Sequence, residues 1–100
     1  MARYPRTKPK QLATKLLYIR TALGLSQNGM IRRLGVTEEL TQSRISGYEL
    51  GTREPSLPTL LLYAEAAGVC VDYLIDDRLR LPKRIPARNS PHRFSDRQST

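Results

Sequence analysis

The chain is 100 residues long, 39% hydrophobic and strongly basic, with a formal net charge of +8 at pH 7. This length suits a single small domain whose modest core leaves no room for a large catalytic cleft, and the lone Cys70 excludes an internal disulfide. Because no apolar run approaches the ~20 residues of a membrane span, and none follows the basic N-terminus as in a signal peptide, we expect a reducing, cytoplasmic setting without a membrane partner.

Residues 1–9 predict a flexible basic arm, because two prolines stand among basic side chains and apolar periodicity is absent. Positive charge is concentrated at both ends: residues 1–10 hold four basic side chains and no acid, and residues 80–100 hold six against one. Residues 11–79 hold seven basic and eight acidic side chains. The basic ends favour a polyanionic partner, whereas any phosphate affinity of the middle must come from a few well-placed arginines.

A folded domain is predicted over residues 10–79, and it begins with an amphipathic helix that ends at Gly24. The buried stripe of this helix consists of apolar residues at helical spacing, namely Leu12, Leu16, Ile19 and Leu23. Ser26 then supplies the side-chain oxygen of an N-cap to a second, shorter helix that Gly35 ends. The inward-facing residues of the second helix are Met30, Ile31 and Leu34.

Three further helices follow. Thr41 is the predicted N-cap of the third, at about residues 42–50, and Gly51 is its left-handed end. Ser56 caps the fourth, whose expected apolar stripe is Leu57, Leu60, Leu61, Ala64 and Ala67. A short fifth helix has Asp72 in its first turn, where the charge complements the helix dipole. Because no segment alternates polar and apolar residues with a period of two, the predicted class is all-α.

After the fifth helix, residues 80–100 predict a basic, disordered tail, because three prolines interrupt a polar sequence that has few hydrophobic residues. The single histidine, His92, lies in this tail, and no group of Cys, His, Asp and Glu has the spacing of a metal site. A glycine loop suited to phosphate and a nucleophile with a neighbouring base are also missing from the sequence. We therefore expect no catalysis, no cofactor, no metal and no small-molecule substrate.

The second and third helices form a predicted helix-turn-helix. Over about residues 12–77, the sequence resembles the Xre-type or phage-repressor-like helix-turn-helix regulators of bacteria and their viruses. The resemblance rests on five motifs in order: Gly24-Leu25-Ser26-Gln27, Leu34-Gly35-Val36, Ile45-Ser46-Gly47-Tyr48-Glu49-Leu50-Gly51, Arg53-Glu54-Pro55-Ser56, and Gly68-Val69 with Asp72-Tyr73-Leu74. It implies a five-helix fold whose third helix enters the major groove of double-stranded DNA while the second crosses the backbone.

The resemblance implies base contacts at Gln42, Ser43 and Gly47 in the third helix. A glutamine amide pairs with N6 and N7 of adenine in a bidentate manner, whereas a serine hydroxyl accepts several bases. Gly47 departs from the family pattern, because a residue without a side chain can only allow the backbone to approach the DNA closely. We therefore expect relaxed recognition at that position.

Further roles implied by the resemblance are positional rather than base-reading. Phosphate contacts are expected at Gln27, Arg44, Thr52 and Arg53. A salt bridge between Arg20 and Glu49 is expected to hold the first helix to the recognition helix, a structural role. Cys70 stands where relatives often carry a serine cap, and we expect an inert, partly buried thiol.

The turn between the second and third helices departs from the family. Relatives use about three residues, whereas Gly35 to Thr41 is seven residues here. The four extra residues are nearly one helical turn in length and offer an added first turn to the third helix, with Thr37 as its cap. Glu38 and Glu39 within this insertion bring negative charge close to the expected phosphates.

Two functions remain open at this point. The favoured one is sequence-specific binding of double-stranded DNA by a bacterial or phage transcriptional regulator, with basic ends that add salt-sensitive affinity. The alternative is a protein-interaction or antitoxin-type module that keeps the fold but binds DNA weakly or without specificity. A homodimer is possible, because relatives commonly bind as dimers on two half-sites. It would have to use the folded part, with the fourth and fifth helices as the candidate surface.

Overall fold

The computed structural model describes residues 9–36 and 38–86 of the chain. Within this part five helices and no strand are present: α1 Leu12–Ala22, α2 Gln27–Leu34, α3 Gln42–Leu50, α4 Leu57–Ala67 and α5 Asp72–Ile75. The predicted all-α, five-helix architecture is confirmed. The greater part of the predicted basic arm and the chain after residue 86, which includes His92, lie outside the described residues.

Local capping chemistry explains where the three central helices begin and end. The N-caps are Ser26 for α2, Thr41 for α3 and Ser56 for α4. Their hydroxyl oxygens accept hydrogen bonds from backbone N–H groups at N···O distances of 2.9, 3.2 and 3.3 Å. The C-terminal glycines, all with positive φ, are Gly35, Gly51 and Gly68. These boundaries agree with the capping pattern of the sequence, and they fix α2 and α3 as separate short helices.

One hydrophobic core joins the helices, with α1 packed against α3, α4 and α5, and α2 packed against α3 and α4. The inward faces predicted for α1 and α2 are confirmed: Leu12, Leu16, Ile19, Met30, Ile31 and Leu34 are buried, and Leu23 packs against them. On the inner face of α3, the side chains of Ile45 and Tyr48 are buried in the same core. The opposite face of α3 is left exposed at its first turn.

Two predictions about the second half of the domain are wrong. Leu57 and Leu61 are 58% and 49% exposed, whereas Tyr63 is fully buried on the inner face of α4. The remaining buried residues of that face are Leu60, Ala64, Ala66 and Ala67. Because nearly every position of α4 is apolar, periodicity alone does not select the inward face. Cys70, expected to be partly buried, is exposed.

A buried lysine binds the end of α5 to α1. Lys15 is only 7% exposed, and its Nζ donates hydrogen bonds to the carbonyl oxygens of Tyr73, Asp76 and Leu79 at 2.7, 3.1 and 2.8 Å. All three donors of the ammonium group are thus used, which makes its burial tolerable. The positive charge also lies at the C-terminal end of a helix, where carbonyl groups lack intrahelical partners.

The same chain segment caps α1 in return. The carboxylate of Asp77 accepts the backbone N–H groups of Lys10 and Gln11 at 2.8 and 3.0 Å. These amides stand at the start of α1, where no side chain of the helix itself provides a cap. The two hydrogen bonds lower the pKa of Asp77 below its ordinary value. The start of α1 and the chain after α5 therefore stabilise each other.

Residues 80–86, here called the strap, are folded against α1. Ile85 is only 1% exposed and belongs to the core, Leu81 packs against the core, and the Tyr18 hydroxyl donates a hydrogen bond to the Lys83 carbonyl. The disordered tail predicted from residue 80 is therefore wrong for the strap. The prolines and charged residues of this segment predict disorder, but its two apolar residues, Leu81 and Ile85, pack in or against the core.

Candidate functional site

The first turn of α3 presents its polar side chains to solvent. Gln42, Ser43 and Arg44 are all exposed, while Ile45 turns inward and anchors the helix. The cap at Thr41 holds the backbone of this turn, because its hydroxyl accepts the N–H of Arg44. The first turn of α3 is thus capped and carries three exposed side chains.

The leading glutamines of α2 and α3 contact each other. Gln42 Nε2 donates to Gln27 Oε1 at 3.2 Å, and Gln27 Nε2 donates to Glu49 Oε1 at 3.1 Å. Two residues expected to contact different parts of DNA are thus linked by one hydrogen bond. Gln27 orients the amide of Gln42 and is itself oriented by the carboxylate of Glu49.

The structure brings Arg20 and Glu49 together as the resemblance implied. Arg20 Nε and Nη2 donate to the two carboxylate oxygens of Glu49 at 2.6 and 3.1 Å, and Nη1 donates to the Leu25 carbonyl at 2.9 Å. Hydrogen bonding to Glu49 raises the pKa of Arg20 above its ordinary value. The pair continues the chain of polar contacts from α1 through Glu49 and Gln27 to Gln42.

Gly47, expected to allow a close approach of DNA, is buried. A Cβ at this position would lie 3.0 Å from both Cγ and Cδ of Arg53. The Gly47 carbonyl also accepts the backbone N–H groups of Thr52 and Arg53 at 3.0 and 3.2 Å. The missing side chain therefore makes room for the stem of Arg53, so Gly47 has a packing role in this fold.

The insertion between α2 and α3 forms its own turn and does not lengthen α3. The N–H groups of Glu39 and Leu40 both bond to the Val36 carbonyl at 3.1 Å, and the Leu40 side chain is buried in the core. Helix α3 begins at Gln42, so an added first turn is excluded. Thr37, the proposed cap of that turn, lies outside the described residues.

The acidic end of the insertion faces the predicted phosphate-binding arginines. Glu39 lines a cleft of about 420 Å³. The other lining residues are Leu40, Arg44, Tyr48, Arg53, Glu54, Ser56 and Thr59. Arg44 and Arg53 are exposed, and neither forms a salt bridge with any residue that the structure describes. The cleft thus combines two arginines with two carboxylates, those of Glu39 and Glu54, that would oppose an incoming phosphate.

The predicted site residues fall into two groups in space. Gln27 and Gln42 form one group with Glu49, and Arg44 and Arg53 line the cleft on the other side of α3. Thr52 lies in the loop after α3, and its hydroxyl donates a weak hydrogen bond of 3.4 Å to the Gly47 carbonyl. The sequence offered no sign of the Gln27 bridge, because its two partners lie 15 and 22 residues away.

Other classes of site find no support among the described residues. No group of three or more His, Cys, Asp or Glu side chains in this part of the chain is placed to hold a metal ion. The described helices are too short or too polar to cross a membrane.

A family model described as helix-turn-helix matches residues 16–74. No curated protein and no solved structure matches the chain.

Proposed function

Because the chain belongs to the Xre-type helix-turn-helix family of DNA-binding proteins, we propose that it is a bacterial or phage transcriptional regulator that recognises a specific sequence of double-stranded DNA. The observation that carries this proposal is the exposed first turn of α3, where the amide of Gln42 is held in position by Gln27. In this function α3 lies in the major groove, and the protein catalyses no reaction.

Gln42 retains the groups that it needs to read adenine. Its contact with Gln27 uses one amide N–H, so the second N–H can donate to adenine N7 while the carbonyl oxygen accepts from N6. A side chain fixed before binding loses less conformational entropy when the complex forms. Ser43 adds a permissive contact beside it, and Gly47 makes none in this proposal.

The DNA backbone is contacted on both sides of α3. The N-terminus of α2, where Gln27 follows the Ser26 cap, offers free amides and the positive end of the helix dipole to a phosphate. On the other side, Arg44 and Arg53 supply positive charge from the cleft. The packing of Arg53 over Gly47 restricts where its guanidinium can go. Thr52 contributes a hydroxyl from the same loop.

The test begins with selection of preferred sites from random duplex DNA. Gln42→Ala should weaken binding to the selected site by about 10- to 100-fold, the equivalent of about 1–3 kcal/mol, and should leave binding to random DNA nearly unchanged. Arg53→Ala should weaken binding to both DNAs by the same factor. Gln11→Ala is the matched control, because the side chain of Gln11 makes no cap bond at the start of α1.

Two results would reject the proposal. One is a wild-type affinity that is identical for every duplex, and the other is an equal loss on selected and random DNA after Gln42→Ala. Either result would show that α3 does not read bases.

A second candidate, the protein-interaction or antitoxin-type module, is favoured by one observation. Leu57 and Leu61 are one helical turn apart on α4 and both exposed. A homodimer through this face would bury them. Sedimentation of the wild type and of Leu61→Ser tests whether copies associate through this face, since a dimer through α4 requires the wild type to associate and the variant to dissociate.

A further inference from the structure

The chain from Asp77 to the end of the strap runs alongside α1 in the same direction as the helix. Successive contacts pair Asp77 with Gln11 just before α1, Leu79 with Lys15 and Lys83 with Tyr18. As the chain advances through these contacts, its partners advance along α1 towards the C-terminal end of the helix. The basic residues of the strap therefore lie towards the C-terminal end of α1 and away from α5.

The far end of the strap lies beside the last turn of α1. Arg84 and Ile85 line a shallow cleft of about 290 Å³ together with Thr21 and Ala22. The chain that leaves this turn reaches the Ser26 cap of α2 within four residues. It also folds back on the helix, because the Leu25 N–H bonds to the Arg20 carbonyl at 3.1 Å. The end of the strap and the start of α2 are therefore at the same end of the domain.

The strap displays positive charge at this end on a fixed backbone. The side chains of Lys83 and Arg84 are exposed, and neither forms a salt bridge with a described residue. The backbone beneath them is held by the buried Ile85 and by the hydrogen bond from Tyr18 to Lys83. Cations on an ordered segment can bind a polyanion at a lower entropic cost than cations on a flexible chain.

We propose that the strap is a second element that contacts the DNA backbone, in which Lys83 and Arg84 bind phosphates that flank those at the N-terminus of α2. The inference rests on the proposed function, since it places the duplex at that end of the domain. The strap lies outside residues 16–74, the part matched by the family model. It therefore extends the predicted footprint beyond the part of the chain that the family model matches.

The salt dependence of DNA binding measures this contact. Binding of the full chain to one selected duplex is followed by fluorescence anisotropy over a series of NaCl concentrations. Each phosphate contact contributes about −0.9 to the slope of log K against log[salt], so Lys83→Gln with Arg84→Gln should make the slope shallower by about 1.8. The preference for the selected sequence should be unchanged, because phosphate contacts carry no sequence information.

Arg78→Gln is the control for loss of one positive charge. Arg78 is exposed and already paired with Asp76 at 2.9 Å, so its removal should leave the slope unchanged. Equal melting temperatures of the variants show that the fold is intact. An unchanged slope in the double variant, with sequence preference retained, overturns the role of the strap and leaves the proposed function standing. Absence of sequence preference in the wild type instead refutes the proposed function.

Discussion

The carboxylate of Glu49 lies against the guanidinium of Arg20 in a two-point ion pair, with distances of 2.6 and 3.1 Å. Only 5% of the Glu49 side chain and 17% of the Arg20 side chain are exposed. The pair joins the last turn of α1 to the last turn of α3. Since Glu49 also holds Gln27, the pair orients both helices of the proposed DNA-binding motif.

Glu49→Gln should destabilise the protein by about 3 kcal/mol, because it leaves the charge of Arg20 in a largely buried place without its partner. Urea denaturation of the full chain, followed by circular dichroism, measures the change. The exposed pair between Arg78 and Asp76 provides the comparison, and Arg78→Gln should change the stability far less than Glu49→Gln does. Similar losses from the two substitutions would show that the Glu49 pair contributes no more than a surface pair.

Lys15→Met should destabilise the protein by about 3 kcal/mol, even though methionine fills a similar volume. The substitution leaves three carbonyl oxygens without the donor that now satisfies them. Lys10→Met is the control, because Lys10 is exposed and uses only its backbone N–H in the contact with Asp77. Equal denaturation midpoints for the wild type and Lys15→Met would contradict the structural role of the buried ammonium group.

Stability should fall in acid in a way that depends on Asp77. Hydrogen bonds from the N–H groups of Lys10 and Gln11 hold the pKa of Asp77 below its ordinary value of 3.8. The folded state therefore binds this proton less tightly than the unfolded chain does. The stabilisation is complete above the unfolded-state pKa and is lost as the pH falls through the lower, folded-state pKa.

Asp77→Asn removes this titrating group. The variant should be less stable than the wild type at neutral pH, and the difference in urea midpoint should shrink as the pH is lowered below about 4. Asp76, whose pKa is lowered to about 2 by hydrogen bonds from Arg78, titrates in both proteins. A constant difference between the two midpoints from pH 7 to pH 2 would contradict the assignment.

The acidic insertion should weaken DNA binding through Glu39. Glu39→Gln removes a carboxylate from the cleft that also contains Arg44 and Arg53, and it should tighten binding to selected and random DNA alike by about twofold to fivefold at low salt. Glu38→Gln removes the same charge from a residue that does not line the cleft. Anisotropy titrations should show a smaller gain for Glu38→Gln, and the reverse order would place the duplex elsewhere.

Features governed by neighbouring residues could be predicted from the sequence. The caps at Ser26, Thr41 and Ser56 are predictable because each hydroxyl oxygen accepts the backbone N–H of the residue three positions further along the chain. The buried stripe of α1 was found because polar residues alternate with apolar ones at helical spacing. The buried face of α4 was missed for the converse reason, because Leu57 and Leu61 are as apolar as the residues that face inward.

Features that depend on distant residues could not be predicted in this way. Lys15 looks like an ordinary solvated lysine, and its carbonyl partners lie 58 to 64 residues further along the chain. The exposed start of α3 followed from the helix pattern, but the covering of Gly47 depends on the Arg53 side chain of the next loop. The length of the insertion is evident from the sequence. The burial of its Leu40 side chain is not, because it depends on core residues that are distant along the chain.

The mutual capping of α1 and the chain after α5 has a consequence for how this protein can be divided. A fragment trimmed to the family limits, 16–74, would lack Lys15, Asp77 and Ile85, and with them both capping partners and one fully buried core residue. Recombinant fusions or chimaeras that include this domain should therefore carry residues 9–86. The hydrogen bonds and the core packing of the described structure extend beyond the part that the family model matches.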